Sequence, residues 1–435
     1  MTLPQPRTAT EEWKAHWPLV VSAMIGFSFF TVVTYGLGTF TEPLEKEFGW
    51  SRAEIYLGLT VFGFIQMAGG PPVGMLLDKI GSRGMAILGL ILSGVTFAGF
   101  SLANGSTGQW LGLWFVFGLC SLMIKSTVWS AGTSSVFSTS RGLALAAVLS
   151  GSALGQVFAP VVANWLIESQ GWRSAFWMIG FGWAGLGLVL VTLMFYDAPA
   201  LARRGRAAAA QNGSAPPAAA PLLTGLSVGE AMRDSRMIRI GVANLAMAAI
   251  SGGIGAHLVP LISETGIDRD AAVQMAASAG IAGLVGKFLT GWLLDRYQGS
   301  IVPFFSFAIA GLGHFLLLDM LDTPAALTAG AMILGYASGA GLQVTTYLVS
   351  RYGGLRKFGT IFGTIASMML AGSAIGPLLA GAVHDATGSY TALLIVAAPT
   401  MLISALLFVG LGPYPDFNAR TVDQGDGKEV PAPAT

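Results

Sequence analysis

Long apolar stretches recur along the whole chain and constrain its fold more than any other feature. A helix that crosses the hydrocarbon core of a bilayer needs about 20 predominantly apolar residues. Windows of this kind occur near 17–41, 52–77, 84–104, 109–136, 141–168, 172–196, 237–262, 269–295, 301–320, 324–349, 357–384 and 389–413. Charged residues make up only 10% of the 435 residues, whereas a soluble domain carries about 25%. The sequence therefore predicts an all-α polytopic membrane protein with twelve transmembrane helices.

The twelve predicted spans form two groups of six. Between the groups, RRGRAAAAQNGSAPPAAAP is rich in small residues and proline and has no apolar face, which is typical of a flexible linker. The predicted organisation is an N-terminal segment, a six-helix bundle, a linker, a second six-helix bundle and a disordered tail. Their bounds are 1–16, 17–196, 197–236, 237–413 and 414–435.

The distribution of lysine and arginine predicts the orientation of the chain in the membrane. Of these 23 residues, 17 lie in the termini and in the loops on the same side as both termini. Four lie in the opposite loops, and two, Lys125 and Lys287, lie inside predicted spans. Because positive charge favours the cytoplasmic side, both termini are predicted to be cytoplasmic, in the cell (inner) membrane. The first apolar run is too long for a signal peptide and is expected to be retained.

The two halves of the sequence repeat each other. Gly74-Met-Leu-Leu-Asp78-Lys79 recurs as Gly291-Trp-Leu-Leu-Asp295-Arg296, and Gly151-Ser-Ala-Leu-Gly155 recurs as Gly372-Ser-Ala-Ile-Gly376. Each match follows the corresponding span, so the halves are predicted to be tandem repeats with the same orientation. Parallel halves of this kind are typical of alternating-access transporters, whose binding site lies between the halves.

The loop after the second span resembles the signature loop of the major facilitator superfamily. It contains Gly74, Asp78, Lys79 and Arg83, but it has Ser82 where the family usually has a basic residue. The second copy, with Asp295 and Arg296, lacks the trailing glycine and arginine. The resemblance implies that these loops gate the cytoplasmic side. A plain polar turn with positive-inside residues is the alternative.

A narrower resemblance is to the monocarboxylate and oxalate/formate transporter group. The segments that carry it are Phe48-Gly-Trp50-Ser-Arg52, Arg141-Gly-Leu-Ala-Leu, Gly171-Trp-Arg173-Ser-Ala-Phe176, Ser350-Arg-Tyr-Gly-Gly-Leu-Arg356-Lys-Phe-Gly359, Gly376-Pro377 and Asp385-Ala-Thr-Gly-Ser-Tyr390. The resemblance implies secondary transport of a small organic anion, a mono- or dicarboxylate, by proton symport or by exchange for a counter-anion. Lys287 stands eight residues before Asp295, where the family places an arginine that pairs with the substrate carboxylate. Gly283 replaces the acid that animal members carry four residues earlier.

Two lysines inside predicted spans are the leading candidates for substrate binding. A charged side chain at the bilayer centre costs about 2.5–3.5 kcal/mol on insertion scales, so Lys125 and Lys287 require a compensating function or contact. Both lie slightly cytoplasmic of the midplane, one in each half, and we predict that together they bind the anion. The alternatives are snorkelling of Lys287 to the interface and a structural contact of Lys125 with a backbone carbonyl.

Four further residues are weaker candidates for the substrate site. Gln343 is the repeat mate of Lys125, and Tyr347 lies one helical turn away. Tyr35 and His257 occupy matching positions in the first and seventh spans, and a histidine can exchange a proton near neutral pH. A hydrogen-bonded structural role for His257 is an equal alternative.

The sequence shows no motif of an enzyme, a cofactor site or a metal site. It lacks a helical His-Glu-x-x-His, a Gly-x-Ser-x-Gly and a phosphate-binding Gly-x-x-x-x-Gly-Lys-Ser/Thr loop. No basic cluster suggests nucleic-acid binding, and the lone Cys120 excludes an internal disulfide. We expect a monomer whose partners are the substrate, protons or a counter-anion, and lipid. A drug or metabolite efflux pump and a transporter-like ligand sensor are the alternative functions.

Overall fold

The computed structural model describes residues 8–201 and 223–417, and within these ranges it contains the helices in the predicted order. The spans are Ala9–Phe48 (span 1), Arg52–Ala68 with Gly70–Ile80 (span 2), Ser82–Ala98 (span 3), Thr107–Ser121 with Ser126–Val136 (span 4), Arg141–Leu149 with Gly151–Gln170 (span 5), Trp172–Met194 (span 6), Ser235–Ser263 (span 7), Arg269–Arg296 (span 8), Ile301–Leu316 (span 9), Pro324–Leu348 (span 10), Phe358–Thr387 (span 11) and Thr391–Leu406 (span 12). Nine of them are long and apolar enough to cross a bilayer, and the bent span 2 is a tenth. Spans 9 and 12 are shorter apolar helices that complete the pattern.

Span 1 is longer at both ends than its apolar stretch. Its helix begins at Ala9, where the side chain of Thr8 accepts a hydrogen bond from the N–H of Glu11 and the Glu11 side chain reaches back to the backbone of Thr8. This reciprocal capping explains the early start, since it satisfies two N–H groups at the helix end. The helix ends at Phe48 and is followed by Gly49, whose φ of 68° is left-handed. Residues 9–16, expected as a separate segment, therefore belong to the first helix.

Three spans are interrupted within the bundle. Span 2 bends by 58° at Gly69, directly before Pro71 and Pro72, which cannot donate backbone hydrogen bonds to the preceding turn. Span 4 is broken at Lys125, whose φ of −63° and ψ of 158° are extended rather than helical. Span 5 is divided at Ser150. Lys125, at the break in span 4, also lines one of the cavities described below.

Each half of the molecule has its own hydrophobic core. One cluster of buried side chains draws only on residues between 19 and 195. Two further clusters are formed by buried residues between 226 and 411. The chain therefore has the major facilitator fold of two six-helix bundles, as the internal repeat predicted.

The last part of the predicted linker is folded onto the second bundle. Gly225 and Gly354 form an isolated antiparallel bridge, in which the N–H of Leu226 donates to the carbonyl of Gly353 (2.9 Å) and the N–H of Leu355 donates to the carbonyl of Thr224 (2.8 Å). The short helix Val228–Ala231 follows. The predicted flexible stretch and most of the predicted tail, residues 202–222 and 418–435, lie outside the described residues.

Candidate functional site

Lys125 lies at the break in span 4, at the position directly before the half-helix Ser126–Val136. Its side chain is only 5% exposed, and its Nζ donates a hydrogen bond of 2.8 Å to the backbone carbonyl of Gln66 in span 2. Gln66 is held in turn, because its Nε2 donates to the carbonyl of Gly118 (3.1 Å) and to Oγ of Ser121 (2.8 Å). The backbone-carbonyl contact considered for Lys125 is thus present. Lys125 also lines one of the two cavities described below.

Lys287 reaches across to the other half of the protein. Its Nζ donates to Oγ of Ser152 (2.7 Å) and lies 3.4 Å from the carbonyl oxygen of Leu149, both in span 5. The side chain is therefore directed into the interface between the halves rather than towards the bilayer surface. Among the described residues, neither Lys125 nor Lys287 forms an ion pair with a carboxylate.

Two adjoining cavities lie between the halves. Lys125 lines a cavity of about 470 Å³, and Lys287 lines one of about 580 Å³. Ser251, Ser338 and Leu342 belong to the walls of both. The two lysines thus face neighbouring parts of one central space, and each half supplies one of them.

The weaker candidates lie at different places in the fold. Tyr35 is 40% exposed and lines the cavity that contains Lys287. His257 is hydrogen-bonded on both ring nitrogens, through Nδ1 to the hydroxyl of Tyr390 (2.8 Å) and through Nε2 to the carbonyl of Pro377 (3.3 Å). Its side chain thus has the structural contacts that were the alternative to proton exchange.

Gln343 and Tyr347 lie in the last two turns of span 10. Nε2 of Gln343 donates to the backbone carbonyl of Gly142 (2.5 Å) in the opposite half. The hydroxyl of Tyr347 accepts a hydrogen bond of 3.2 Å from Arg351. Neither residue is among those that line the two cavities. The structure therefore brings together Lys125, Lys287 and Tyr35, but not the other three candidates.

Asp78 lies in the last turn of span 2 and Asp295 in the last turn of span 8, rather than in loops. Both lie at the end of the bundle that carries most of the basic residues, here named the basic side: Lys79, Arg83, Arg296, Arg351 and Arg356. Oδ1 of Asp78 accepts from the N–H of Gly359 (2.9 Å), and Oδ2 accepts from the N–H and the hydroxyl of Thr360 (3.2 and 2.6 Å). These groups form the first turn of span 11, where the helix dipole favours a negative charge.

The repeat copy makes the equivalent contact from the second half to the first. Oδ1 and Oδ2 of Asp295 accept from the N–H groups of Gly142 (2.6 Å) and Leu143 (2.8 Å) at the start of span 5. Each half thus places one carboxylate on the amino end of a helix in the other half. We name these two contacts the carboxylate clamps, since each joins the two halves on the basic side.

Gly74 permits the first clamp, and the other predicted residues of this side make separate contacts. A Cβ atom on Gly74 would lie 2.2 Å from the carbonyl oxygen of Gly359, so only glycine allows spans 2 and 11 to approach this closely. The guanidinium of Arg83 donates to the carbonyls of Thr192 (2.6 Å) and Phe195. Lys79 lines a small pocket on the basic side, and the guanidinium of Arg296 lies 5.7 Å from the ring centre of Trp292.

Two polar residues of the basic side were not predicted. Glu12 in span 1 is 3% exposed, and its carboxylate accepts backbone hydrogen bonds of 2.7–3.3 Å from Ser138, Thr139 and Ser140. Arg141 donates through Nε to the carbonyl of Phe137 (2.9 Å) and through Nη1 to Oγ of Ser350 (3.3 Å) in the other half. Arg141 belongs to a segment that resembles the monocarboxylate group, and this was the available signal. Glu12 carries none, because it lies outside the apolar stretch.

Comparison with known proteins identifies the class to which this arrangement belongs. The chain matches the family profile of the Major Facilitator Superfamily over residues 20–327 and 240–434. It belongs to this superfamily and is a multi-pass membrane transporter, not an enzyme.

Among individual proteins, the chain resembles monocarboxylate transporters. It is 26% identical over 411 residues to monocarboxylate transporter 13 of Bos taurus, covering 93% of this chain and 91% of the relative. It is also 25% identical over 364 residues to the MFS transporter asaE of Aspergillus flavus, covering 80% of this chain and 74% of that protein.

Solved structures share the fold at lower identity. The human organic anion transporter MFSD10 has a TM-score of 0.64 at 17% identity, over 90% of this chain and 99% of that chain. The Escherichia coli fucose:proton symporter FucP also has a TM-score of 0.64 at 17% identity, over 89% of this chain and 98% of that chain.

Proposed function

We propose that this chain is a secondary active transporter of a small organic anion, a carboxylate, in the inner membrane of the cell. The observation that carries the proposal is the pair of lysines, one from each half, that line adjoining cavities without an ion-pair partner among the described carboxylates. A buried ammonium attracts an anion more strongly than an exposed one does, because the surrounding dielectric is lower. The similarity to monocarboxylate transporters supports the same substrate class.

The proposed mechanism is alternating access driven by an ion gradient, either by proton symport or by anion exchange. Positive charge favours the cytoplasmic side of a membrane, so the basic side is assigned to the cytoplasm together with both termini. The carboxylate clamps then represent the state closed to the cytoplasm. Opening that side requires Asp78 and Asp295 to leave the amino ends of spans 11 and 5, while the substrate remains between the halves.

Two alternative functions make different predictions. A pump for lipophilic cations needs an acidic group near its substrate, and the residues that line the two cavities include two lysines and no aspartate or glutamate. A ligand sensor with a transporter fold binds its ligand but does not move it. Transport measurements on reconstituted protein distinguish all three functions.

The test is counterflow of a labelled carboxylate in proteoliposomes. A panel of carboxylates is first screened for the compound that most raises the melting temperature of the purified protein, because a ligand that binds only the folded state stabilises it. We expect saturable counterflow of that compound, strongly reduced by Lys125→Gln and by Lys287→Gln. Lys46→Gln is the matched control, since Lys46 is an exposed lysine that pairs with Glu42. Binding without counterflow would indicate a sensor, and flux restricted to cations would indicate a pump.

A further inference from the structure

The cavity that contains Lys125 has one charged lining residue, several hydroxyl-bearing ones and a large apolar part. Its wall includes the rings of Phe27, Phe30 and Phe62 from the first half. The second half contributes further apolar side chains, among them Met247, Met369 and Leu370. The charge of this cavity is therefore confined to the surroundings of Lys125, and the remaining space suits an apolar group.

The three phenylalanines form a continuous wall. The ring of Phe30 stacks on Phe27, with 6.1 Å between centroids and an interplanar angle of 13°, and lies 5.9 Å from the ring of Phe62. Phe62 packs in turn against Phe117 at 5.8 Å and Trp114 at 6.1 Å, so the wall is fixed from behind. Phe27 and Phe62 are buried, whereas Phe30 is partly exposed. Offset or edge-on contact with a ligand ring is favourable on a wall of this kind.

The charged part of the cavity can hold one carboxylate. An ammonium group has three donors, and among the described residues Lys125 uses one of them for the carbonyl of Gln66. Ser126 also lines the cavity and begins the half-helix Ser126–Val136. The first N–H groups of a helix have no partner within the helix and favour an anion. The break in span 4 thus brings a cation and a helix amino end to the same place.

The volume of the cavity exceeds what a short acid needs. The cavity has a volume of about 470 Å³. An acid of two or three carbons would leave most of this space to water against phenylalanine and methionine side chains. A second carboxylate placed among the phenylalanine and methionine side chains would lose its hydration without gaining a positively charged partner.

We propose that the substrate is a monocarboxylate with an aromatic or bulky apolar body, which lies against Phe27, Phe30 and Phe62 while its carboxylate is bound at Lys125, with Lys287 adding a second positive charge from the adjoining cavity. This inference rests on the proposed function, because it assumes that the site binds an organic anion. It adds the chemical class of the substrate, which the lysines alone do not determine. Short-chain acids and dicarboxylates are then poor ligands.

The test is calorimetric binding of a matched set of compounds to the purified full-length protein. The set contains 3-phenylpropionate, propionate, succinate and the neutral 3-phenylpropanamide. We expect 3-phenylpropionate to bind at least tenfold more tightly than propionate or succinate, and the amide to bind at least tenfold more weakly than 3-phenylpropionate. Equal affinity for 3-phenylpropionate and propionate, or a higher affinity for succinate than for 3-phenylpropionate, would overturn the inference.

Variants of the aromatic wall locate the effect. Phe30→Ala should weaken 3-phenylpropionate at least fivefold and change propionate less than twofold. Phe64→Ala is the matched control, because Phe64 lies in the same span as Phe62 but is 63% exposed and does not line the cavity. Phe30→Leu keeps an apolar side chain and serves if the alanine variant does not fold; it should also weaken the phenyl acid selectively. If a folded Phe30 variant prefers 3-phenylpropionate over propionate as strongly as the wild type does, the proposal is contradicted.

The proposed anion site and the inference about the apolar body of the substrate can be refuted separately. If Lys125→Gln weakens propionate and 3-phenylpropionate equally but the wild type does not distinguish them, the anion site stands and the inference about the substrate body is wrong. If wild-type protein binds none of the acids, or if Lys125→Gln leaves their affinity unchanged, the proposed function itself is wrong.

Discussion

The clamp formed by Asp78 provides a direct test of gating. Its carboxylate accepts three hydrogen bonds from the first turn of span 11, and these cross from one half of the protein to the other. Asp78→Asn keeps the shape of the side chain but removes the charge and replaces one acceptor oxygen by a donor NH₂ group. The variant should therefore destabilise the state in which the basic side is closed.

The size of the effect follows from the contacts that are lost. A hydrogen bond to a charged group contributes about 1.5–3 kcal/mol, and a charge at a helix end contributes about 0.3–1 kcal/mol. Together these terms give about 2–4 kcal/mol. Since each 1.4 kcal/mol is a factor of ten, the closed state should lose roughly 30- to 700-fold in its equilibrium with the open state.

The assay measures the distance between spin labels on opposite halves. Labels at Ile80 and Met232, two exposed positions, are introduced in a Cys120→Ser background and their separation is recorded by pulsed electron resonance. Asp78→Asn should shift the distribution towards longer distances and reduce the transport rate more than the substrate affinity. Asp197→Asn is the control, because Asp197 accepts hydrogen bonds from Arg83 and Ala200 within one half. An unchanged distribution, or affinity reduced as strongly as rate, refutes a gating role for Asp78.

Three further predictions concern the same side of the protein. Asp295→Asn should shift the label distances in the same direction as Asp78→Asn, because it removes the second clamp; an effect in only one of the two variants would contradict the symmetry of the gate. Gly74→Ala should reduce transport strongly while leaving carboxylate affinity nearly unchanged, since a Cβ atom there would lie 2.2 Å from the carbonyl oxygen of Gly359; wild-type counterflow in the variant would show that the close approach is dispensable. Deleting several residues within 204–220 should leave counterflow intact, because small polar linkers act as tethers; loss of activity in correctly inserted protein would show a further role.

Much of the architecture could be predicted because it depends on residue patterns. Apolar stretches and the repeat around Asp78 and Asp295 indicated two similar bundles, and the structure confirms this fold. Helix ends were harder, because the start at Ala9 depends on side-chain capping by Thr8 and Glu11 rather than on hydropathy. The break at Lys125 has no glycine or proline as a signal.

The internal repeat predicted which positions of the two halves correspond, but not the backbone direction or the contacts at those positions. Gln343 is the repeat mate of Lys125, yet span 10 is a continuous helix through Gln343, whereas span 4 is broken at Lys125. The backbone direction therefore differs at the two positions. Gln343 contacts Gly142 at the interface, while Lys125 lines a cavity. Equivalent positions in the two repeats thus need not share a role.

The central claim is that Lys125 and Lys287 bind the anion together, one from each half. The most direct test is the calorimetric affinity of the best-binding carboxylate for wild type, Lys125→Gln, Lys287→Gln and Lys287→Arg. Each glutamine variant keeps a polar group but loses the charge, and should lose about 1.5–3 kcal/mol of binding free energy, the range for a hydrogen bond to a charged group. Lys287→Arg should keep appreciable affinity because the positive charge remains. If both glutamine variants bind the carboxylate as tightly as wild type does, the two lysines are structural and the proposed site is wrong.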